Sequence, residues 1–197
     1  MALENDEYKR RETIVVEQFS GIIDYCEPFY IYSIHYSADR AIAAFERFIE
    51  AASAENLNAP LVVSSIHEAL THASALSRFF WPVRNKPIHL ARAAKLRRAF
   101  AIEDSSPLKD RALRDALEHF DERLDIFLLE HDTGFFRPAP TVGSHSEIGG
   151  QDKVFKLVDL REKAFVLLNE IHFFEPIILA TSNIMTRAIG MAKEQRL

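Results

Sequence analysis

The stretch SSPLKDRALRDALEHFDERLDIFLLE, residues 105–130, contains the strongest helical pattern of the chain. A serine shortly before Pro107 is a typical helix start, because the hydroxyl caps free backbone N–H groups and proline fits the first turn. The apolar residues recur every three or four positions and are Leu113, Ala116, Leu117, Phe120, Leu124, Phe127 and Leu128. The pattern predicts one helix over 105–130 that buries one face in a helical bundle.

Four further helices are predicted, over 29–54, 60–81, 88–100 and 175–194. Proline marks their limits, because it fits a first helical turn and disfavours helix in the residue before it. The helix over 60–81 has an apolar stripe, formed by Val63, Ile66, Leu70, Ala73 and Ser77. We therefore expect a mainly α fold, a four- to five-helix up-and-down bundle, in a single domain spanning 1–197.

Two short apolar runs, 154–158 and 164–168, flank a polar segment and predict a small late β-hairpin at about 154–168. The preceding segment, about 132–152, is rich in glycine and proline and is predicted to be a surface loop. Residues 10–24 are ambiguous, since the β-branched run at 14–16 favours a strand. An isolated hairpin is marginal in water. The hairpin should therefore pack on the bundle or gain 12–20 as a third strand.

The composition is that of a globular protein, with 197 residues of which 48% are hydrophobic and 27% charged. Cys26 is the single cysteine, which excludes an intrachain disulfide and suggests a small core residue. The N-terminal segment 1–7 is acidic and lacks the features of a signal peptide. No run approaches the roughly 20 apolar residues of a membrane helix. We therefore expect a cytoplasmic protein without a membrane partner.

The charge distribution is uneven. The net charge is −5, which argues against a general DNA-binding protein. Residues 84–98 nevertheless contain six basic residues and no acidic one: Arg84, Lys86, Arg92, Lys95, Arg97 and Arg98. This segment is either a local nucleic-acid-binding patch, with Arg92 and Lys95 as substrate-binding candidates, or a solvated helix face.

A short motif, Arg114-Asp115-x3-His119, lies within the 105–130 helix. It resembles the signature of the HEPN superfamily of helical domains, in which an arginine, commonly followed by Asn, Asp or His, precedes a histidine by four to six residues. The resemblance covers a four-helix core of about residues 28–130 together with the C-terminal helix.

The resemblance implies RNA as the partner. Many HEPN proteins are endoribonucleases that need no metal or cofactor and work as homodimers with a composite site, which makes Arg114, Asp115 and His119 the catalytic candidates. Others bind RNA or act as scaffolds without cleavage. Some HEPN toxins are modified on a tyrosine two positions after the histidine. Here that position is Asp121, so this form of regulation is not expected.

The motif also makes chemical sense by itself. Histidine titrates near neutral pH and accepts a proton from a ribose 2′-OH, while arginine grips phosphate oxygens. Asp115 precedes His119 by four residues, so its carboxylate is placed to hold the ring. Arg114 and His119 lie about 140° apart around a helix, so a symmetric dimer is expected to unite them. An ion pair between Arg114 and Glu118 explains the same residues without function.

Two other readings of the sequence remain. His72 and Arg78, with Ser74 and Ser77, are placed to line a polar groove and are further substrate-binding candidates. The run from His67 to His72 has a spacing of five rather than the four of zinc peptidases, so the rings diverge and no metal site is predicted.

The alternative to RNA binding is a non-catalytic helical bundle that serves as a protein-interaction or assembly module.

Overall fold

The computed structural model describes residues 5–197, except for the side chain of Arg111; the start of the acidic N-terminal segment, 1–4, lies outside the described residues. The described chain is mainly helical, with 64% in helices and 10% in a small sheet region. The helices are α1 (Asn5–Phe19), α2 (Glu27–Ala52), α3 (Ala59–Phe80), α4 (Pro87–Ala99), α5 (Arg111–Glu118), α6 (Phe120–Glu130) and α7 (Glu175–Glu194). None of these helices is long and apolar enough to cross a bilayer.

The centre of the fold is α2, which packs against α3 and α7. Every residue of the predicted α3 stripe is buried, from Val63 to Ser77, which confirms that prediction. On α2, Phe45 and Phe48 are buried, whereas Ile49 is exposed. Most buried apolar residues form one large cluster that draws on α2 to α7 and on the sheet, and Val154, Leu157 and Val166 form a second, smaller cluster.

The segment that was ambiguous in sequence is helical, since α1 covers Asn5–Phe19 and no strand forms at 12–20. Two features favour the helix. Glu7 pairs with Arg10 and Arg11 at helical spacing, and the half-buried run at 14–16 belongs to a helix that packs on α4. Packing against another element overrides the β preference of branched residues.

Gly21 ends the turn after α1 and lies against α4. Its φ is +90°, and its N–H donates to Val15 O at 2.9 Å. A Cβ at this position would clash with the backbone N of Arg92 and lie 2.8 Å from the carbonyl carbon of Ala91. The closeness of two backbones and the positive φ both require glycine.

We expect Gly21→Ala to lower the free energy of unfolding by about 2 kcal/mol or more, through backbone strain and a clash that a rigid neighbour cannot relieve. Urea unfolding measures this difference. Gly190→Ala is the matched control, because Gly190 lies on α7 with open space around its Cβ position. Equal stabilities of the two variants would contradict the prediction.

The single helix predicted over 105–130 is wrong. A 3₁₀ turn at Pro107–Lys109 precedes α5, and α5 ends at His119, where φ is −114° and ψ is 38°. Asp110, rather than a serine, caps α5 by accepting a hydrogen bond from Ala112 N. The two halves have different partners. α5 packs on α3, while Phe120 of α6 meets Phe155 edge-on with 5.3 Å between ring centroids.

The burial of the predicted apolar face also changes after the break at His119. Phe127 remains buried, but Leu128 is exposed, together with Ile126 and Leu129 of the same helix. A straight helix would have kept one continuous stripe against the bundle. The continuous buried stripe predicted for 105–130 is therefore not kept to the end of α6.

The predicted hairpin exists and is part of a larger sheet. Its strands are β4 (Lys156–Asp159) and β5 (Ala164–Leu167), which pair antiparallel. β6 (Glu170–Phe173) adds antiparallel to β5, and β2 (Thr141–Val142) adds parallel to β4, so the order is β2-β4-β5-β6. Leu168 and Asn169 join β5 to β6 with positive φ values of 49° and 64°, as a type I′ hairpin turn requires.

The prediction of a surface loop over 132–152 is only partly right. It contains β1 (Phe135–Arg137), β2 and a 3₁₀ turn, and β1 pairs parallel with β3 (Asp152–Val154). Short strands of two or three residues carry little periodicity, because their residues are too few to alternate visibly. Their pairing partners come from later in the chain and supply the backbone hydrogen bonds that define them.

Candidate functional site

Arg114 lies in the interior. Only 4% of the residue is exposed, and its Nη1 donates to Trp81 O at 3.5 Å. Trp81 is the residue that ends α3, so its carbonyl lacks a partner within the helix. The Nε of Arg114 is buried without a hydrogen bond, 3.6 Å from Asp115 Oδ1. The guanidinium thus joins α5 to the end of α3 and does not reach solvent.

His119 lies outside, at the junction of α5 and α6. Its side chain is 58% exposed, and its Nδ1 lies 3.7 Å from Glu122 Oε2. Asp115 faces Arg114, so Glu122 takes the place that the sequence suggested for Asp115 beside the ring. Within one chain, the structure therefore does not bring Arg114, Asp115 and His119 to a common point.

Arg78 of α3 reaches the end of α5 from the neighbouring helix. Its guanidinium forms an ion pair with Glu118, the residue directly before His119. Glu118 was expected to pair with Arg114 on its own helix, but it pairs across to α3. Arg78 remains half-exposed, so a cation and an imidazole flank the end of α5 on the protein surface.

The polar groove expected beside α5 does not form as a unit. Ser74 and Ser77 are buried, and Ser77 Oγ donates to Ser74 O at 2.8 Å. His72 lies 3.7 Å from Glu68, which also accepts a hydrogen bond from Arg47 at 2.7 Å. His72 therefore belongs to an ion-pair cluster between α3 and α2, apart from Arg78.

The basic segment has structural contacts. Arg92 donates to Arg78 O at 3.2 Å, and Arg97 donates to Phe80 O at 2.6 Å. With Arg114, three arginines thus satisfy the free carbonyls at the end of α3, where positive charge also complements the helix dipole. Lys95 binds Ile22 O and Glu27 at 2.9 Å and 2.8 Å. The exposed basic residues of this segment are Arg84, Lys86 and Arg98.

His145 and Asp159 form a hydrogen-bonded pair at the sheet, which the sequence did not reveal. Asp159 is 2% exposed, and its Oδ2 accepts hydrogen bonds from His145 N and Nδ1 at 2.9 Å and 2.8 Å. Its Oδ1 accepts from the backbone N–H groups of Arg161 and Glu162. Fourteen residues separate the pair in the chain, so no local spacing announces it. The carboxylate holds the ring and the β4–β5 turn.

These contacts determine the titration of Asp159. Burial alone would raise the pKa of the carboxyl, but hydrogen bonds from the backbone N–H groups of Glu162, His145 and Arg161 and from the His145 ring lower that pKa to about 2, from 3.8. Because the folded-state pKa is the lower one, the stabilisation is complete above about pH 4 and disappears as the pH falls toward 2.

We expect Asp159 to contribute about 2 kcal/mol of stability at neutral pH, from 1.36 kcal/mol per pKa unit. Urea unfolding of the wild type and Asp159→Asn from pH 7 to pH 2.5 measures this contribution. The difference between the two proteins should shrink below pH 4, because other carboxylates contribute equally to both. A difference that stays constant with pH would contradict this account.

His67 of α3 and Lys156 of β4 form another close pair. His67 Nδ1 lies 3.2 Å from Lys156 Nζ, while His72 points elsewhere, so the two histidines of the 67–72 run diverge as predicted. Over residues 5–197, no group of three or more His, Cys, Asp or Glu side chains is arranged to hold a metal ion.

We compared the chain with models of known protein families, with curated proteins and with solved structures, and none of them matches.

Proposed function

We propose that this protein is a HEPN-like RNA-binding protein that cleaves RNA as a dimer, without a metal ion, with His119 as the proton-transfer group. The observation that carries the proposal is the exposed position of His119 at the α5–α6 junction, beside Glu122 and next to the Arg78–Glu118 ion pair. An accessible imidazole and an exposed guanidinium are the two kinds of side chain that this chemistry requires.

The reaction assigns one task to each group. His119 accepts the proton of a ribose 2′-OH, the 2′ oxygen attacks the adjacent phosphorus, and the 5′ oxygen leaves with a proton. The products carry a 2′,3′-cyclic phosphate and a 5′-OH. Arg78 balances the charge that builds on the phosphate, since a guanidinium binds two of its oxygens at once. In a two-fold dimer, His119 of the second copy is available to protonate the leaving oxygen.

Arg114 receives a different role in this proposal. Its guanidinium is buried against Trp81 O, so we assign it to holding α5, and thereby His119, in position. Arg78 takes over contact with the phosphate, because it is the exposed arginine beside the end of α5. Asp115 supports Arg114 at 3.6 Å.

The test is RNA cleavage by the purified protein in EDTA, using single-stranded and structured RNAs with labelled ends. We expect 2′,3′-cyclic phosphate products and a two-chain particle by light scattering. Arg78→Ala should slow cleavage at least tenfold with unchanged stability, as expected when a charged contact to the transition state is lost. Absence of both cleavage and RNA binding would overturn the proposal.

The Arg114→Met variant distinguishes the role of Arg114 from that of Arg78. Methionine fills the buried space without charge, and replacing a poorly satisfied buried ion by an apolar side chain is often tolerated. If Arg114 only positions α5, the folded variant retains cleavage within about tenfold, whereas a phosphate-binding role predicts a loss like that of Arg78→Ala.

A second candidate, a non-catalytic interaction module, is favoured by a different surface. Four aromatic residues near the start of α2, Tyr25, Phe29, Tyr32 and Tyr36, are each at least half exposed. Phe29, Tyr32 and Tyr36 line a groove of ≈ 640 Å³ with Phe79 of α3. Exposed aromatic patches commonly mark interfaces. Dimerisation that Tyr32→Ser abolishes, in a protein without RNA binding, would favour this candidate.

A further inference from the structure

Lys156, at the start of β4, occupies an unusual position for a lysine. Its Nζ lies 4.5 Å from the ring centroid of Phe120 and 5.0 Å from that of Phe155. It donates a hydrogen bond toward His67 Nδ1 at 3.2 Å. Among the residues that the structure describes, no acidic side chain forms an ion pair with it. Lysines that lack a carboxylate partner are usually left in water rather than placed between two aromatic rings.

The surroundings lower the pKa of both Lys156 and His67. Burial lowers the pKa of Lys156, while the two ring faces favour the ammonium form and oppose this shift. Burial, and then the charge of Lys156, lower the pKa of His67 to about 4. His67 is therefore neutral at physiological pH, and its Nδ1 lone pair faces the ammonium group.

A ligand can reach this lysine. Lys156 and His67 line a groove of ≈ 340 Å³ between α3 and the sheet. Its walls are mostly apolar, from Pro60, Val63, Pro140 and Phe155, with Ser64 and Glu68 at the polar side. Glu68 is engaged by Arg47 at 2.7 Å, so it leaves Lys156 unpaired. The groove has room for a small, flat, apolar molecule.

We propose that Lys156 and His67 form a second site of this protein, at which the lysine amine condenses with a small aldehyde or ketone. A lysine that is partly shielded from water by apolar walls is the kind of amine that enzymes use for Schiff bases. This inference is independent of the RNA-cleaving role proposed for His119.

The condensation needs no further reactant. The ammonium group loses one proton to solvent, and the free amine, which lies 3.2 Å from His67 Nδ1, attacks the carbonyl carbon to form a carbinolamine. The carbinolamine oxygen takes up a proton and leaves as water, so that a carbon–nitrogen double bond replaces the carbonyl. The apolar walls favour an aromatic or branched carbonyl compound over a charged one.

The test is reductive trapping on the full-length native protein. Benzaldehyde and cyanoborohydride are added between pH 6 and pH 9, and the modified lysines are quantified by peptide mass spectrometry. We expect Lys156 to be labelled at pH 7 faster than the exposed Lys163, because burial lowers the pKa of Lys156 and leaves more of it as the free amine. The rate at Lys156 should also level off at a lower pH.

Two controls make the result specific. In concentrated urea the preference for Lys156 should vanish, because it depends on the folded groove. Lys156→Arg keeps a cation between the two rings and should lose the single fast adduct while labelling of Lys163 is unchanged. Labelling of Lys156 no faster than that of Lys163 in the native protein, or a preference that persists in urea, would overturn the proposal.

Discussion

His119→Ala is expected to reduce RNA cleavage by at least about 100-fold, the usual contribution of a positioned general acid or base. The side chain is 58% exposed and its ring contacts Glu122 at 3.7 Å, so its removal leaves no buried cavity. Stability should change by less than about 0.5 kcal/mol, as for other surface substitutions. The measurement is the single-turnover cleavage rate in EDTA across pH 5 to pH 9.

The matched control is His131→Ala, since His131 lies directly after α6 and its Nδ1 contacts Phe127 O at 2.7 Å. Cleavage by this variant should equal that of the wild type. If both variants cut RNA at the wild-type rate, the proton-transfer role of His119 is refuted, whatever the RNA affinity. If His119→Ala loses cleavage but still binds RNA, binding and chemistry reside in different residues.

Phe80→Ala should have the largest effect on stability, lowering the free energy of unfolding by about 3–5 kcal/mol, the range for truncating a buried phenylalanine. Phe80 is 0% exposed. It meets Trp81 and Phe100 edge-on, with centroids 6.1 Å and 5.5 Å apart. The cavity would open under the end of α3, where Arg97 and Arg114 bind the last carbonyls, so the docking of α4 and α5 should weaken together.

Urea unfolding measures this loss, and Phe29→Ala provides the comparison. Phe29 is 71% exposed on α2, so its truncation removes the same atoms without opening a cavity. Its effect should stay below about 0.5 kcal/mol. Similar effects of the two substitutions would mean that the end of α3 is not a packing centre.

The two arginines show why the candidate site is only partly readable from the sequence. Arg114 lies in a recognisable motif, but nothing in the motif says that its guanidinium turns inward to Trp81, 33 residues earlier. Arg78 is a substrate-binding candidate that the sequence places in a groove with His72, whereas the structure pairs it with Glu118. Long side chains choose their partners among elements that are distant in the chain, and local spacing cannot rank those partners.

The helices show which features of the fold can be predicted from the sequence. The helix over 175–194 is found with the same bounds, and α3 begins and ends within one residue of its predicted limits. Apolar periodicity and proline positions are local properties of the chain, and they act wherever the segment packs. The β4–β5 hairpin follows from the same kind of signal, since two apolar runs flank a polar turn.

Local sequence patterns therefore account for the mainly helical class, most helix limits, the hairpin and the Arg-x4-His motif. Tertiary structure alone decided that α1 is a helix, that the 105–130 segment breaks at His119, and which basic side chains are buried. The reason is physical. Periodicity records which face is apolar, whereas a helix break, a capped carbonyl or an unpaired lysine depends on contacts between segments that meet only in the folded chain.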